Sequence, residues 1–150
     1  IGNMVNGLEK AKKDGFYIIF TQDTHYKETY LDTQEGKNLP VYHCIKGTKG
    51  HEIYRDLQVF IDDETPVVEK ETFASFELAK LVGEKLKEGY DAIEIFGICT
   101  DICVINTAVL LKNMYPEVPI YVNGSCSSGV SEKLHQEALS VMESFQIHIL

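Results

Sequence analysis

The regular alternation of strand-like and helix-like segments is the feature of this sequence that most limits its possible folds. Apolar, β-rich runs predict strands at residues 16–22, 66–70, 92–97, 119–125 and 147–150. Segments with helical spacing of apolar residues lie between them, at 1–13, 75–88, 100–115 and 131–145. Strands that alternate with helices predict a parallel sheet with helices on both faces. We therefore expect an α/β fold, a three-layer αβα sandwich around a central, mostly parallel sheet, and a chain of 150 residues fits a single domain.

Two of the predicted helices place apolar residues on one stripe. These residues are Phe76, Ala79, Val82 and Leu86 in the first helix and Leu134, Ala138, Val141 and Phe145 in the second. Residues 23–66, between the first two strands, are polar and rich in glycine, threonine and tyrosine. A loop of that length within a compact domain usually serves a function.

The overall charge disfavours two classes of partner. A net charge of −9 provides no basic surface for the phosphates of a nucleic acid and none for an anionic membrane. The sequence contains no run of about 18 apolar residues, so it predicts no membrane-spanning helix. The first residues also lack the pattern of a secretion signal. We therefore expect a cytoplasmic protein whose four cysteines are thiols rather than disulfides.

Reactive side chains follow three of the predicted strands. Residues 23–25 (DTH) come after the first strand, Lys70 ends the second, and residues 99–103 (CTDIC) follow the third. In parallel α/β sheets, ligands bind at the carboxyl ends of the strands. The sequence therefore predicts that a carboxylate, an imidazole, an amine and a thiol share one edge of the sheet.

Cys103 admits two interpretations. Thr100 or Asp101 can cap the following helix, which would place Cys103 in its first turn. There the helix dipole favours a thiolate, and backbone N–H groups can hold a developing oxyanion. Alternatively, Cys103 and Cys99 are small buried hydrophobic side chains, as cysteines commonly are. Position alone leaves both interpretations open for Cys103 and favours simple packing for Cys99.

The basic and metal-binding candidates are also ambiguous when taken one by one. Lys70, the only basic residue in its strand, would either stabilise a thiolate or extend to solvent. Asp23 and His25 point the same way because they are two apart in an extended segment. Together with His43 they would supply metal ligands. We expect no partner for His51, His135 or His148, and core packing for Cys44 and Cys126.

Four motifs taken together resemble one family. The segments IIFTQDTHY, LPVYHCIKGTKGHEI, VVEKETFASF and GICTDICVINTA occur in this order along the chain. They resemble the D-x-H metal motif, the W-P-x-H-C-x-x-G-T-x-G segment, the strand with the catalytic lysine and the nucleophile signature of the isochorismatase-like cysteine hydrolases. Within that family they look most like the nicotinamidase-type amidases. The resemblance implies the isochorismatase-like αβα fold.

The resemblance assigns catalytic roles to particular residues. Cys103 is implied to be the nucleophile, and Lys70 is implied to be the lysine that stabilises the thiolate and the intermediate. The backbone N–H groups of Cys99 and Cys103 would form the oxyanion hole. The peptide bond between Ile98 and Cys99 would be cis, as in the family.

The resemblance also implies a metal site. Asp23, His25 and His43 align with the ligands of a divalent metal ion, usually zinc, iron or manganese. Such a metal binds near the substrate and can polarise a ring nitrogen or order a water molecule. A third histidine that some members carry shortly after the D-x-H motif has no counterpart here.

The sequence departs from the family pattern in two places. The family's triad includes an aspartate in a segment of the type h-h-D-x-Q at the end of the first strand, and no such segment occurs here. We therefore expect roughly 25–35 residues, with that strand, to precede Ile1. Asp101 is a poor substitute base, because it belongs to the start of a helix. Leu39 stands where the family has a tryptophan that lines a pyridine site, which leaves nicotinamide itself open as the substrate.

The implied activity is hydrolysis of a small amide through a thioester, with nicotinamide giving nicotinate and ammonia. Another small amide, a carbamoyl compound or a ureido compound is the alternative substrate. Two rival interpretations remain: a metal-dependent hydrolase in which Cys103 only packs, and a non-catalytic protein with a relic site. The expected partners are a small-molecule amide and further copies of the chain, since family members are commonly dimers or tetramers.

Overall fold

The computed structural model describes residues 1–150, which divide into a smaller unit (residues 18–72) and a larger unit (residues 1–17 and 73–150). The α-helices are α1 (Gly2–Lys13), α2 (Gln34–Asn38), α3 (Arg55–Gln58), α4 (Phe76–Lys87), α5 (Ile105–Met114) and α6 (Glu132–Ser144). The strands are β1 (Phe20–Asp23), β2 (Val67–Lys70), β3 (Ile93–Ile95), β4 (Ile120–Val122) and β5 (His148–Ile149). No helix has the length and the apolar character that crossing a membrane requires.

In the smaller unit, β1 and β2 form a parallel pair whose last paired residues are Asp23 and Lys70. The predicted first strand, at 16–22, is longer than the observed one. Hydrogen bonding begins where the Phe20 N–H donates to the carbonyl of Pro66 (2.9 Å). Pro66 has no N–H to donate, so it ends the ladder on this side. The ladder therefore carries its two reactive side chains at its carboxyl end, side by side.

The segment between β1 and β2 contains more structure than its polar composition indicates. A 3-10 turn at Tyr30–Asp32 precedes α2, and α3 follows later. The side chain of Thr33 caps α2 by accepting a hydrogen bond from the N–H of Gly36 (2.9 Å). Tyr30 is 1% exposed. The long connection is thus a folded segment with its own buried aromatic residue.

In the larger unit, β3, β4 and β5 form a parallel sheet in that order. The apolar residues of this unit that are 0% exposed are Ile120 and Val122 in β4 and Ala79, Ala108 and Met142 in α4, α5 and α6. All the paired strands of the chain are parallel, and helices alternate with them, as predicted. The prediction of a single domain stays a prediction.

The two predicted apolar stripes differ from the buried faces of the helices. In α4, Phe76 is 72% exposed, whereas Leu78, Ala79 and Val82 are buried. In α6, the predicted stripe is rotated by one position. Its members Leu134, Val141 and Phe145 are more than 40% exposed, and the buried residues are His135, Ala138, Leu139 and Met142. Apolar periodicity misplaces the buried face of α6 because this face includes His135, which the pattern counts as polar.

Candidate functional site

Lys70 is held at the end of β2 by a partly buried ion pair. The strand register places it opposite Asp23. Its ammonium group donates to a carboxylate oxygen of Asp23 and to the carbonyl of Thr72 (3.0 Å). Because Lys70 is 7% exposed, it does not extend to solvent, which was one of the two interpretations of this residue. Removing its carboxylate partner would leave a buried charge uncompensated, at a cost of about 3 kcal/mol.

The segment after β1 forms a second parallel contact within the smaller unit. The N–H of His25 donates to the carbonyl of Cys44 (2.9 Å), and the N–H of Lys46 donates to the carbonyl of His25 (2.8 Å). This bridge fixes the loop that carries His43 beside the segment that carries Asp23. The candidate ligand atoms of Asp23, His25 and His43 lie within 4.8 Å of one another. The structure thus brings together the three side chains proposed as metal ligands.

The hydrogen bonds of His43 determine which of its ring nitrogens can bind a metal. Its Nδ1 lies 3.0 Å from the carbonyl oxygen of Val41. A carbonyl only accepts hydrogen bonds, so we assign the proton of the neutral ring to Nδ1. The other nitrogen, Nε2, then has the lone pair that a metal ligand needs. This Nε2 lies 3.3 Å from Oε1 of Glu35.

The environment of the His25 ring indicates whether a metal ion fits among these side chains. Its Nε2 is buried and has no hydrogen-bond partner, and it lies 3.5 Å from Oε1 of Glu35. Buried polar atoms are nearly always satisfied, and an unsatisfied one costs about 1–3 kcal/mol. A divalent cation among two imidazoles and two carboxylates would satisfy this nitrogen, and it is the donor set that zinc, manganese and iron accept. The residues present fit such an ion.

Glu35 belongs to this cluster, and sequence reasoning did not single it out. It lies in the first turn of α2. At the next residue, Gly36, the backbone of α2 approaches the backbone of Tyr30 and Leu31 closely. A Cβ on Gly36 would overlap the carbonyl group of Tyr30 and lie 2.9 Å from the Cα of Leu31. A glycine is therefore required beside the acidic residue. The sequence offered no signal for Glu35, since it stands in a polar segment with no metal-ligand spacing.

Tyr30 supports the cluster from within the protein. Its hydroxyl donates to the carbonyl of Leu39 (2.8 Å) and lies 3.3 Å from Nδ1 of His43. Burial raises the pKa of the Tyr30 hydroxyl above its ordinary value, and the negative charge of Glu35 raises it further. The phenol is thus neutral at physiological pH and remains a hydrogen-bond donor to the loop that carries His43.

His51 has a partner, contrary to the expectation from sequence. Its Nε2 lies 2.8 Å from the hydroxyl of Thr24, which is 1% exposed. The side-chain amide of Gln22 donates to the carbonyl of His51 (2.6 Å). Thr24 stands between the two candidate ligands of the D-x-H motif. The contact with His51 therefore anchors the segment that presents them. His148, the third of these histidines, stacks on Tyr121 with ring centroids 5.0 Å apart.

The two candidate cysteines lie in the larger unit, at the turn between β3 and α5. The peptide between Ile98 and Cys99 is cis, as the resemblance implied. The chain then makes a π-helical turn over Thr100–Val104, closed by a hydrogen bond from the N–H of Val104 to the carbonyl of Cys99 (3.1 Å), before α5 begins. Cys103 is half-buried within this turn. No disulfide joins any of the four cysteines.

Neither Thr100 nor Asp101 caps the helix that follows, which corrects the sequence prediction. The N-cap position is Cys99 for the π-helical turn and Val104 for α5, and no side chain caps either of them. The carboxylate of Asp101 instead accepts a hydrogen bond from the N–H of Val130 (2.9 Å). The hydroxyl of Thr100 lies 2.8 Å from Nδ1 of His135. Asp101 thus binds the segment that leads into α6, and Thr100 contacts α6 itself.

The predicted site residues therefore fall into two groups. Asp23, His25, His43 and Lys70 are brought together in the smaller unit. Cys99 and Cys103 share one turn of the larger unit. Buried Cys126 donates a hydrogen bond from its thiol to the carbonyl of Asn3 (3.2 Å), which agrees with a packing role.

Comparison with known proteins identifies the family. The model of the isochorismatase domain matches residues 1–150. The chain belongs to the isochorismatase family. A curated relative, the uncharacterized isochorismatase family protein PncA of Bacillus subtilis (strain 168), is 28% identical over 142 residues, which are 91% of this chain and 75% of the relative.

Solved structures of the family share the fold. A pyrazinamidase/nicotinamidase from Streptococcus mutans UA159 superimposes with a TM-score of 0.84 at 28% identity, over 99% of this chain and 83% of the other. The nicotinamidase/pyrazinamidase PncA of Bacillus subtilis gives 0.82 at 24% identity, over 99% and 82%. The pyrazinamidase of Pyrococcus horikoshii, solved in complex with zinc, gives 0.81 at 24% identity, over 100% and 83%.

These comparisons confirm the predicted isochorismatase-like α/β fold and the resemblance on which it was based. Membership in the family makes the chain a hydrolase. The matched nicotinamidases agree with the predicted class, a hydrolase of C–N bonds in linear amides. The cluster of Asp23, His25 and His43 in this chain is a candidate site for a divalent metal.

The assignment of Glu35 to the metal cluster leads to a measurable prediction. We expect Glu35→Gln to weaken the binding of zinc and manganese by about tenfold or more, because the amide lacks the negative charge that faces both imidazoles. Isothermal titration of the metal-free protein with each ion measures the Kd. Glu28→Gln, a change at an exposed glutamate of the same segment, is the matched control and should leave the Kd unaltered. An unchanged Kd for Glu35→Gln would remove this residue from the site.

Proposed function

We propose that this protein is a cysteine amidohydrolase that converts a small amide into its carboxylate and ammonia through a thioester on Cys103. Nicotinamide, giving nicotinate, is the first substrate to test. The observation that carries the proposal is the buried ammonium group of Lys70, held by Asp23 beside a cluster of candidate metal ligands at the end of parallel strands. The second support is the placement of Cys103 in the turn that precedes a helix.

The proposed reaction has two halves. The Cys103 thiolate attacks the carbonyl carbon of the amide, and a tetrahedral oxyanion forms. Backbone N–H groups of Cys99 and Cys103 stabilise this oxyanion. The C–N bond then breaks, and the nitrogen leaves as ammonia after taking up a proton. Water attacks the thioester, its oxygen bonds to the acyl carbon, and the carboxylate and the thiol are released.

The thiol proton of Cys103 needs a base, for which the family resemblance supplies an aspartate. Two aspartates of the chain are poor candidates for this role. Asp23 is engaged by the ammonium of Lys70, and the carboxylate of Asp101 is engaged by the N–H of Val130. These hydrogen bonds give both carboxylates structural roles in their own segments. We therefore assign neither of them as the base.

Lys70 and the Asp/His cluster have separate parts in the proposal. The Lys70 ammonium supplies positive charge that stabilises the thiolate and the oxyanion. Asp23, His25, His43 and Glu35 would hold the divalent metal, which supplies a Lewis acid when bound. The nitrogens that would bind the cation are the buried Nε2 of His25 and the Nε2 of His43, whose ring proton we place on Nδ1.

The substrate class is less specified than the reaction. Leu39 is 49% exposed and replaces the tryptophan of the family motif, so the feature that walls a pyridine ring is missing at this position. A carbamoyl or ureido compound is therefore the alternative substrate. The Asp/His cluster also favours one rival activity, a metal-dependent hydrolase in which Cys103 only packs.

The role of Cys103 is tested by its replacement. We expect Cys103→Ala to reduce ammonia release to the background rate, because no thioester can form. A panel of nicotinamide, pyrazinamide, carbamoyl and ureido compounds is assayed for ammonia, and circular dichroism checks the fold. Cys126→Ala, at a packed cysteine, is the control that should keep its activity. Full turnover by Cys103→Ala, with metal bound, would support the metal-dependent rival instead.

The role of Lys70 is tested through the acidity of the Cys103 thiol. An ammonium group that stabilises a thiolate lowers the thiol pKa, so we expect Lys70→Met to raise it. The rate of Cys103 alkylation by iodoacetamide, followed against pH, should then rise at higher pH than in the native chain. Lys46→Met is the control, because Lys46 pairs with Glu69 at an exposed position. Coinciding profiles for the native chain and Lys70→Met would contradict the assigned role.

A further inference from the structure

A buried histidine that the proposed reaction does not use contacts the turn that carries Cys103. His135 lies on the buried face of α6 and is 9% exposed, and Thr100 is 0% exposed. The Thr100 hydroxyl lies 2.8 Å from Nδ1 of His135. A hydrogen bond between two buried groups is costly to break, because each partner is left without solvent to replace it.

Two further contacts join the same turn to the segment before α6. The N–H of Thr100 donates to the carbonyl of Ser128 (2.9 Å), and the carboxylate of Asp101 accepts from the N–H of Val130 (2.9 Å). A Cβ on Gly129 would lie 2.8 Å from the Asp101 carboxylate and 2.9 Å from the N–H of His135. The two segments are therefore packed too closely for any residue but glycine at this position.

The position of Thr100 within the turn links this contact to the chemistry. Thr100 follows Cys99, and its carbonyl accepts a hydrogen bond from the N–H of Ile105. The Cys99 carbonyl accepts from the N–H of Val104 (3.1 Å). These bonds close the backbone around Cys103. A displacement of Thr100 would consequently move the thiol of Cys103 and both N–H groups proposed for the oxyanion hole.

We propose that His135 is a positioning residue, which fixes the turn of Cys99 and Cys103 through its hydrogen bond to Thr100. The proposal rests on the proposed function, because it takes Cys103 as the nucleophile. Catalysis requires donors and nucleophile to be placed within about 0.5 Å of the productive geometry. A hydrogen bond from a helix of the core supplies such a constraint, which a turn alone does not provide.

The test removes the hydrogen bond while keeping the volume of the side chains. Thr100→Val replaces the hydroxyl by a methyl group, and Thr100→Ser keeps the hydroxyl. His135→Leu removes the ring nitrogen, and His135→Asn offers a polar atom near the position of Nδ1. His148→Leu, at an exposed histidine of the same unit, is the control. Thermal unfolding identifies variants that do not fold.

We expect Thr100→Val and His135→Leu to lower kcat by about tenfold with an unchanged KM, since a misplaced turn slows chemistry rather than binding. Cys103 alkylation by iodoacetamide, located by fragment mass spectrometry, should slow as well. Thr100→Ser and His135→Asn should recover most of both rates. The double variant should be no slower than either single variant, because both remove the same bond.

The outcomes separate this proposal from the proposed function. If Thr100→Val folds and both its kcat and its Cys103 alkylation rate stay within twofold of the native values, the positioning role is wrong. It is equally wrong if Thr100→Ser is as slow as Thr100→Val. If alkylation slows as expected while Cys103→Ala still releases ammonia, the positioning of the thiol stands and the thioester mechanism fails. Alkylation decides the question even for a variant whose turnover is too slow to measure.

Discussion

The ion pair between buried Lys70 and partly exposed Asp23 is the interaction on which the arrangement of the smaller unit depends. Parallel pairing of β1 and β2 places the two residues opposite each other at the carboxyl end of both strands. Lysine is rarely buried without a counter-charge, since desolvation of an ammonium costs several kcal/mol. Asp23 and the carbonyl of Thr72 meet this requirement. The same carboxylate faces the candidate metal ligands. One residue therefore links the ammonium group to the metal cluster, and the register of two short strands holds both.

In both units, a contact between a threonine hydroxyl and a histidine ring helps to hold the reactive segment. In each case a buried threonine beside a candidate site residue contacts a histidine that is distant in sequence: Thr24 with His51, and Thr100 with His135. Both threonines are at most 1% exposed. A threonine hydroxyl that bonds to an imidazole helps to fix the loop that carries it, because movement of the loop would break a hydrogen bond of a buried group. The chemistry is thus carried by loops, and their rigidity comes from side chains of the surrounding core.

The fold and the positions of the reactive residues were predictable because they follow from local patterns. Alternating strands and helices indicated parallel sheets, and the rule that ligands lie at strand ends selected the residues around Asp23, Lys70 and Cys103. Glu35, His51 and His135 were not predictable, since each acts through a contact across many residues of sequence. Apolar periodicity also misplaced the buried face of α6. A histidine counts as polar in a sequence, and only its partner, the hydroxyl of Thr100, makes its burial favourable.

The central claim is that Cys103 carries the acyl group during turnover. Its most direct test is rapid acid quenching of the reaction with an amide that the protein hydrolyses, followed by digestion and mass spectrometry. The account predicts a peptide containing Cys103 whose mass is increased by the acyl group of the amide, and which hydroxylamine returns to the free thiol. It also predicts that this species forms before the carboxylate is released. Steady turnover with no acylated Cys103 at any quench time would contradict the account.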